Sequence, residues 1–316
     1  MAAIVLHDPV ELTREEVARA AGLTVEQARP YWRAMGFADV GDAPAFTGTD
    51  VESLRTLVGW VDSGLMDQAR AVEVVRSLGQ TASRLADWQV AMMARTVAEA
   101  EQPVSVEQVV AGLETVLPEM ESLVVHAWRR HLAAVIGRGI TPLLEPSDDE
   151  LAHATVGFAD IAGFTRLARV LSDAQLAGLV ELFETGAADV VAGHGARLVK
   201  TLGDEVMFVA DGPAAAVAIA AGLHALPGST DVPLRLRIGL ATGRVVSMMG
   251  DYYGETANRA SRLTAVARPG QTLVDAATED GLGDPDAYVL RHHRPRALRG
   301  LGRTRTTSVR LRARAT

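Results

Sequence analysis

Lys200 is the single lysine among 31 basic residues, and every other one is arginine. An ammonium group is a compact charge that can aim at one acceptor in a narrow slot, whereas a guanidinium needs room for a planar fork. Taken alone, chance survival in an arginine-rich background explains a stray lysine equally well, so its neighbours decide. Four residues on, Asp204 lies in VKTLGDEVMF, which reads as a strand, a Leu-Gly-Asp turn and a second strand, with a carboxylate at the hairpin tip. A second carboxylate, Asp160, ends the apolar strand-like run ATVGFADIA. Either of them alone reads equally well as a turn aspartate. Asp251 follows a glycine break at Gly250, and Asn258 and Arg262, four residues apart, share one face of the helix ETANRASRLTAVA. The available chemistry is that of carboxylates, one amine, an amide and guanidinium groups. With no cysteine in the chain, disulfides, thiolate metal sites and cysteine nucleophiles are excluded.

The elements that must position these groups follow a clear division. At 316 residues the chain is comfortable for two domains, and 48% hydrophobic with 22% charged residues is an ordinary globular balance. A net charge of −8 and a pI near 5.5 argue against nonspecific coating of nucleic acid or anionic lipid. No run approaches a membrane span, and the start lacks the pattern of a signal peptide, so a cytoplasmic protein without integral membrane contact is expected. From Ala154 strands alternate with helices in the order βααββαβ, which predicts an antiparallel sheet with helices on one face, the ferredoxin-like α+β plan. Residues 10 to about 138 read as almost wholly helical. The expected domains are a helical unit over 1–137, a linker over 138–152 and an α+β unit over 153–316.

Within the helical unit, Thr13 and Thr24 are placed to cap two short helices separated by Gly22, the outline of a helix-turn-helix. Residues 1–120 carry about twice as many acids as bases, a net near −9, which argues for a packing unit rather than a DNA reader. Longer helices are expected over 65–78, 82–101, 106–117 and 118–135, with Pro118 in a first turn. Trp88, Met92 and Met93 lie near one helical face, where core packing is expected and an adaptable apolar pocket is the alternative. His126 and His131 precede the linker as surface histidines, or as groups that titrate near neutrality.

Four segments, FADIAGFT, VKTLGDEVMF, LRIGLATGRV and GDYYGETANRASRL, occur in the order and at the spacings of the class III adenylyl and guanylyl cyclases, and residues 154–275 resemble that family's catalytic domain. The resemblance implies conversion of ATP to 3′,5′-cyclic AMP and pyrophosphate with two Mg²⁺ or Mn²⁺ ions at a homodimer interface. Such ions take hard oxygen ligands and often only one or two carboxylates. The family's metal ligands fall on Asp160, Asp204 and the backbone of Ile161. Arg237 and the turn at Phe164 and Thr165 match positions that hold the phosphate tail, the latter at a helix N-terminus. Lys200 and Asp251 match the pair that reads adenine, a donor for N1 beside an acceptor for the 6-amino group; guanylyl members generally place a glutamate where Lys200 stands. Asn258 matches the residue that orients the ribose, and Arg262 the one that neutralises charge on the α-phosphate.

Over residues 10–130, AFTGTDVESLR and VRSLGQTASRLADWQ resemble the regulatory domain of soluble, actinobacterial, pH-responsive adenylyl cyclases. This implies an autoinhibitory helical module that also dimerises, activation by acid through His126, His131 or nearby groups, and a fatty acid held in that domain. Other readings stay open at this point: a non-catalytic nucleotide sensor, or a DNA-binding regulator using the N-terminal helices. A diguanylate cyclase lacks its Gly-Gly-acidic-acidic-Phe signature here. About nine arginines between Arg291 and Arg314 invite a membrane or nucleic-acid reading, but the alternation in TTSVRLRAR favours a terminal strand with one basic face.

Overall fold

The computed structural model describes residues 2–100, 102–137, 151–228, 233–248, 250–298 and 302–312. The chain divides into two compact units, Met1–Leu144 and Glu145–Thr316. The expected linker falls mostly outside the described residues, and Leu151 already begins a strand.

The first unit is helical: α1 (Ala2–Leu6), α2 (Arg14–Ala20), α3 (Val25–Met35), α4 (Gly48–Asp62), α5 (Gln68–Ala98) and α6 (Val106–Gly137). Thr13 and Thr24 cap α2 and α3 as expected, each in a reciprocal box with Glu16 and Gln27 that satisfies two backbone N–H groups. The core gathers Val17, Ala28, Tyr31, Leu54, Ala71 and Val75 from α2 to α5. Two expected breaks are absent. Helix α5 runs unbroken through Gly79, because the glycine is a contact point rather than a stop: a Cβ there would lie 2.5 Å from the Met35 carbonyl oxygen of α3. Helix α6 runs through Pro118, where a long helix on both sides tolerates one missing backbone bond. Trp88, Met92 and Met93 are exposed rather than packed in a core, since only the first half of α5 contributes buried residues. His126 and His131 are exposed on α6.

The second unit comprises β1 (Leu151–Ile161), α7 (Phe164–Leu167), α8 (Asp173–Gly193), β2 (Arg197–Thr201), β3 (Glu205–Ala210), α9 (Pro213–His224), β4 (Leu236–Met248), β5 (Asp251–Tyr253), α10 (Glu255–Val266), β6 (Gln271–Val274), α11 (Ala276–Asp280), β7 (Tyr288–Leu298) and β8 (Gly302–Leu311). The sheet order is β2-β3-β1-β4-β6-β8-β7, with β5 paired to β4. Over the first four strands of this order each neighbouring pair is antiparallel, which gives the ferredoxin-like core.

Two expectations need correction. The sheet is mixed, because β4 and β6 pair in parallel across the α10 crossover. Helices cover both faces. Along β1, β3 and β4 alternate residues point to opposite sides: Ile161, Phe208 and Ile238 join α8 and α9 in one core, while Val156, Met207 and Ala241 join α10 in another. Both faces are apolar because both are buried, which a reading of strand order alone does not reveal. The C-terminal arginine-rich stretch is the β7–β8 hairpin, with Arg303 and Arg305 exposed beside buried Thr306 and Val309. No helix among the described residues is long and apolar enough to cross a membrane.

Candidate active site

At the end of β1, Asp160 stands in register with Glu205 of β3 on one side and Arg237 of β4 on the other. The β2–β3 turn brings Asp204 against it, and the Ile161 N–H donates to the Asp204 carbonyl at 2.9 Å, tying strand end to hairpin tip. Burial, reinforced by the charge of Asp204 and opposed by Arg237, pushes the Asp160 carboxyl up to about 6. Burial and the charges of Asp160 and Asp204 push Glu205 up to about 7, against the pull of Lys200. Asp160 and Glu205 thus share a half-buried corner where their ionisation is costly, with the Asp204 carboxylate beside them. Asp160 and Asp204 offer the one or two hard carboxylates that Mg²⁺ or Mn²⁺ takes when substrate oxygens complete its shell; among the described residues no group of three or more His, Asp or Glu is arranged to hold a metal ion by itself. The Ile161 side chain itself is buried in the core, so only its backbone is left for a ligand.

Arg237 borders this corner with its Nε buried and without a hydrogen-bond partner among the described residues, a donor suited to an anion. After β1, Gly163 takes a left-handed conformation and starts the single turn α7. There the ring of Phe164 packs against the core, leaving its backbone for a substrate, while Thr165 is exposed.

A second cluster forms on β2 and β5. The Lys200 ammonium donates to Asp251 Oδ2 at 2.5 Å, across 51 residues of sequence. The Tyr252 N–H donates to the other carboxylate oxygen at 2.7 Å. Burial works against ionisation of Asp251, but the bonds from Lys200 and Tyr252 and the lysine charge hold its carboxyl below the usual range. The turn before it is fastened by Arg197, which donates to the Gly250 carbonyl at 2.8 Å and lies 5.4 Å from the centre of the Tyr252 ring.

Helix α10 leaves β5 with Asn258 and Arg262 exposed on one side and Ala257, Ala260 and Leu263 buried on the other. It sits very close to the sheet, because a Cβ on Gly239 of β4 would lie 2.4 Å from the Ala260 carbonyl oxygen. Thr264 adds a hydrogen bond to the Phe158 carbonyl at 3.1 Å.

The structure therefore brings Asp160, Asp204 and Arg237 together, and separately Lys200 and Asp251, with Asn258 and Arg262 on a third element. Among the described residues no hydrogen bond or ion pair joins these groups to one another. Sequence reasoning missed Glu205, Arg197 and Arg259. Glu205 was visible as the residue after Asp204, but its burial was not; Arg259 lies between two singled-out residues and reads as helix surface.

The adenylate and guanylate cyclase catalytic domain matches residues 147–311. An adenylate cyclase of Streptomyces coelicolor is 45% identical over 272 residues, covering 84% of this chain and 70% of the relative. One from Glutamicibacter nicotianae is 36% identical over 311 residues, covering 92% and 77%. A pH-sensitive adenylate cyclase of Mycobacterium tuberculosis is 30% identical over 306 residues, covering 93% and 76%. These matches run through the helical unit as well as the sheet, and the chain belongs to the class III adenylate cyclases, with an N-terminal helical region ahead of the catalytic domain.

Proposed function

We propose that this adenylate cyclase makes 3′,5′-cyclic AMP at sites shared between two copies of the chain, with Asp160, Asp204 and Arg237 of one copy facing Lys200, Asp251, Asn258 and Arg262 of the other. The observation that carries the substrate choice is the partly buried Lys200–Asp251 pair, 29% and 21% exposed, in a chain with no other lysine. Adenine accepts at N1 and donates from its 6-amino group, so an ammonium beside a carboxylate reads that edge in both senses. Guanine presents the opposite pattern and would leave both groups unpaired, a discrimination that hydrogen-bonding sites make strongly.

In the reaction the ribose 3′-oxygen forms a bond to the α-phosphorus, the hydroxyl proton leaves, and the bond to the β-phosphate oxygen breaks to release pyrophosphate. Mg²⁺ or Mn²⁺, held by Asp160, Asp204 and the Ile161 backbone, would supply polarisation of the attacking hydroxyl and neutralise the phosphate tail. Arg237 and the backbone at Phe164–Thr165 hold the terminal phosphates. Asn258 orients the ribose. Arg262 neutralises the charge that grows on the α-phosphate, the kind of preorganised charge that commonly dominates catalysis.

The second copy is supported by two features. Asp160, Asp204 and Arg237 gather at the end of β1 and Lys200 pairs with Asp251, but among the described residues no hydrogen bond or ion pair joins the two groups. In addition, α6 has no buried residue over its 32 positions, although Leu123, Trp128 and Val135 are apolar and more than half exposed. The same reading makes the helical unit an autoinhibitory module that dimerises and releases the catalytic unit in acid through His126, His131 or groups near them. A cavity of about 250 Å³ walled by Trp32, Phe37 and Phe46, with Arg14, Arg29 and Arg33 at its edge, suits the fatty acid that the resemblance implies.

Complementation tests the shared site. Asp204→Ala and Lys200→Ala should each be inactive alone, and a refolded mixture should regain roughly a quarter of wild-type activity by random pairing. Dimers that form in the mixture without cyclic AMP production would refute the arrangement. Parallel assays with ATP and GTP at pH about 5.5 and about 8, straddling histidine titration, test substrate and regulation; equal rates across that range would remove the acid switch.

A further inference from the structure

Asp275, the residue that caps α11, is 2% exposed and accepts from four donors. Thr278 gives its hydroxyl at 2.6 Å and its N–H at 2.9 Å, and the Thr242 N–H approaches the same oxygen at 3.4 Å. The other oxygen takes Arg259 Nη1 at 3.0 Å. Thr242 Oγ1 lies 2.8 Å from the Thr278 hydroxyl and 2.9 Å from that of Thr155. A continuous polar chain therefore runs from β1 through β4 and α11 to α10; Thr155 and Thr242 alternate with Val156 and Ala241 of the α10-facing core and so lie on the opposite face of the sheet, and the chain joins the two faces.

Such a network is a costly way to hold elements together, since a buried charge pair must be fully hydrogen-bonded to break even against apolar packing. What it secures beyond adhesion is orientation. Arg259 follows Asn258 directly and precedes Arg262 by three residues, so its side chain leaves α10 about 100° and 60° around the axis from theirs. Helix α10 begins at Gly254 with no side-chain cap. Contact at Gly239 and Ala260 sets how close the helix lies to the sheet, and on its buried side Thr256 and Thr264 donate to the Arg244 and Phe158 carbonyls at 2.8 and 3.1 Å. The Arg259 fork, tied to Asp275 at the start of α11 and to Glu255 one turn back, adds an ionic anchor on another side of the helix and so completes the definition of its roll.

We propose that Arg259 and Asp275 are positioning residues that fix the roll of α10 and so aim Asn258 and Arg262 at the substrate. The inference rests on the roles assigned above to Asn258 and Arg262. The test is kinetic. Asp275→Asn keeps a capping side chain and its shape but removes the charge; Arg259→Gln removes the fork from the other end at a site 26% exposed. Both should lower kcat by roughly 10- to 100-fold, the scale of an ångström-level misplacement, with KM for ATP changed less than about threefold. Arg259→Lys should recover part of kcat, and the double variant should be no worse than the poorer single one. A fall in Tm with kcat per folded site unchanged would overturn the proposal, as would kcat within twofold of wild type in both single variants. If Asp275→Asn does not fold, the two Arg259 variants decide alone. Arg262→Ala serves as the control: full activity there sinks the roles on which the inference rests, whereas an inactive Arg262→Ala beside a fully active Arg259→Gln sinks only the inference.

Discussion

Helices α10 and α6 both carry apolar residues along much of their length, yet α10 buries five of twelve residues and α6 none of 32. The difference lies in what faces them. Small residues, Ala260 and Thr264 against Gly239, let α10 settle onto the sheet at backbone contact distance. On α6 the apolar residues are large, and none of them is buried among the described residues. Apolar content is thus a statement about what a helix can bury, and burial is a statement about its partner.

The strongest way to break the comparison is to spoil the close approach. Gly239→Val should force α10 off the sheet, costing on the order of 3 kcal/mol or more and abolishing activity, as measured by thermal unfolding and cyclic AMP production. An unchanged Tm would mean that the helix is free to shift. Next, Leu263→Ala on α10 should cost about 2–5 kcal/mol, because the side chain is fully buried. Leu123→Ala on α6, at 60% exposure, should cost no more than about 0.5 kcal/mol at dilutions where chains are single. A larger cost that grows with protein concentration would show that a second copy covers it, sharpening the contrast into one between internal and intermolecular cores.

A smaller effect separates the two units by pH. In the catalytic unit Asp160 and Glu205 have folded values raised to about 6 and about 7. The folded state then holds protons that the unfolded chain gives up, so this contribution to stability is present at lower pH and is lost as pH rises through about 6 to 7. Calorimetry in chelator should show Tm of this unit rising from pH 8 to pH 6, and either divalent cation or Asp160→Asn with Glu205→Gln should flatten the slope. In the helical unit the sign reverses. The capping carboxylate Glu16 is held below its usual range by the Thr13 backbone and hydroxyl, so its contribution persists at neutral pH and fades only as acid titrates it. Glu16→Gln should remove that acid-range slope and leave the slope near neutrality alone, the least of these changes.

How much was legible in the sequence follows the range of the interaction concerned. Thr13 and Thr24 were readable as caps because a cap and its partner lie three residues apart. The hairpin at Asp204 was readable for the same reason. The break expected between the helices over 65–78 and 82–101 is absent, since the sequence shows a glycine at position 79 but not Met35 pressed against it. The helices were assigned to one face of the sheet because alternation vanishes when both faces are covered. Lys200 was conspicuous for its rarity, while its pairing with Asp251 was reachable only through resemblance to a family. The Arg259–Asp275 link had no local signal: it spans 16 residues and two helices, and a helix arginine looks the same whether it meets water or a buried carboxylate.

The rarity of lysine carries a practical consequence. Apart from a terminal amine, the whole chain offers amine-reactive reagents one target, and that target is ion-paired in the cleft assigned to the base. A single covalent tag, counted by mass, would therefore report directly on whether that cleft is filled, turning a compositional accident into a built-in occupancy gauge for any nucleotide offered to the protein.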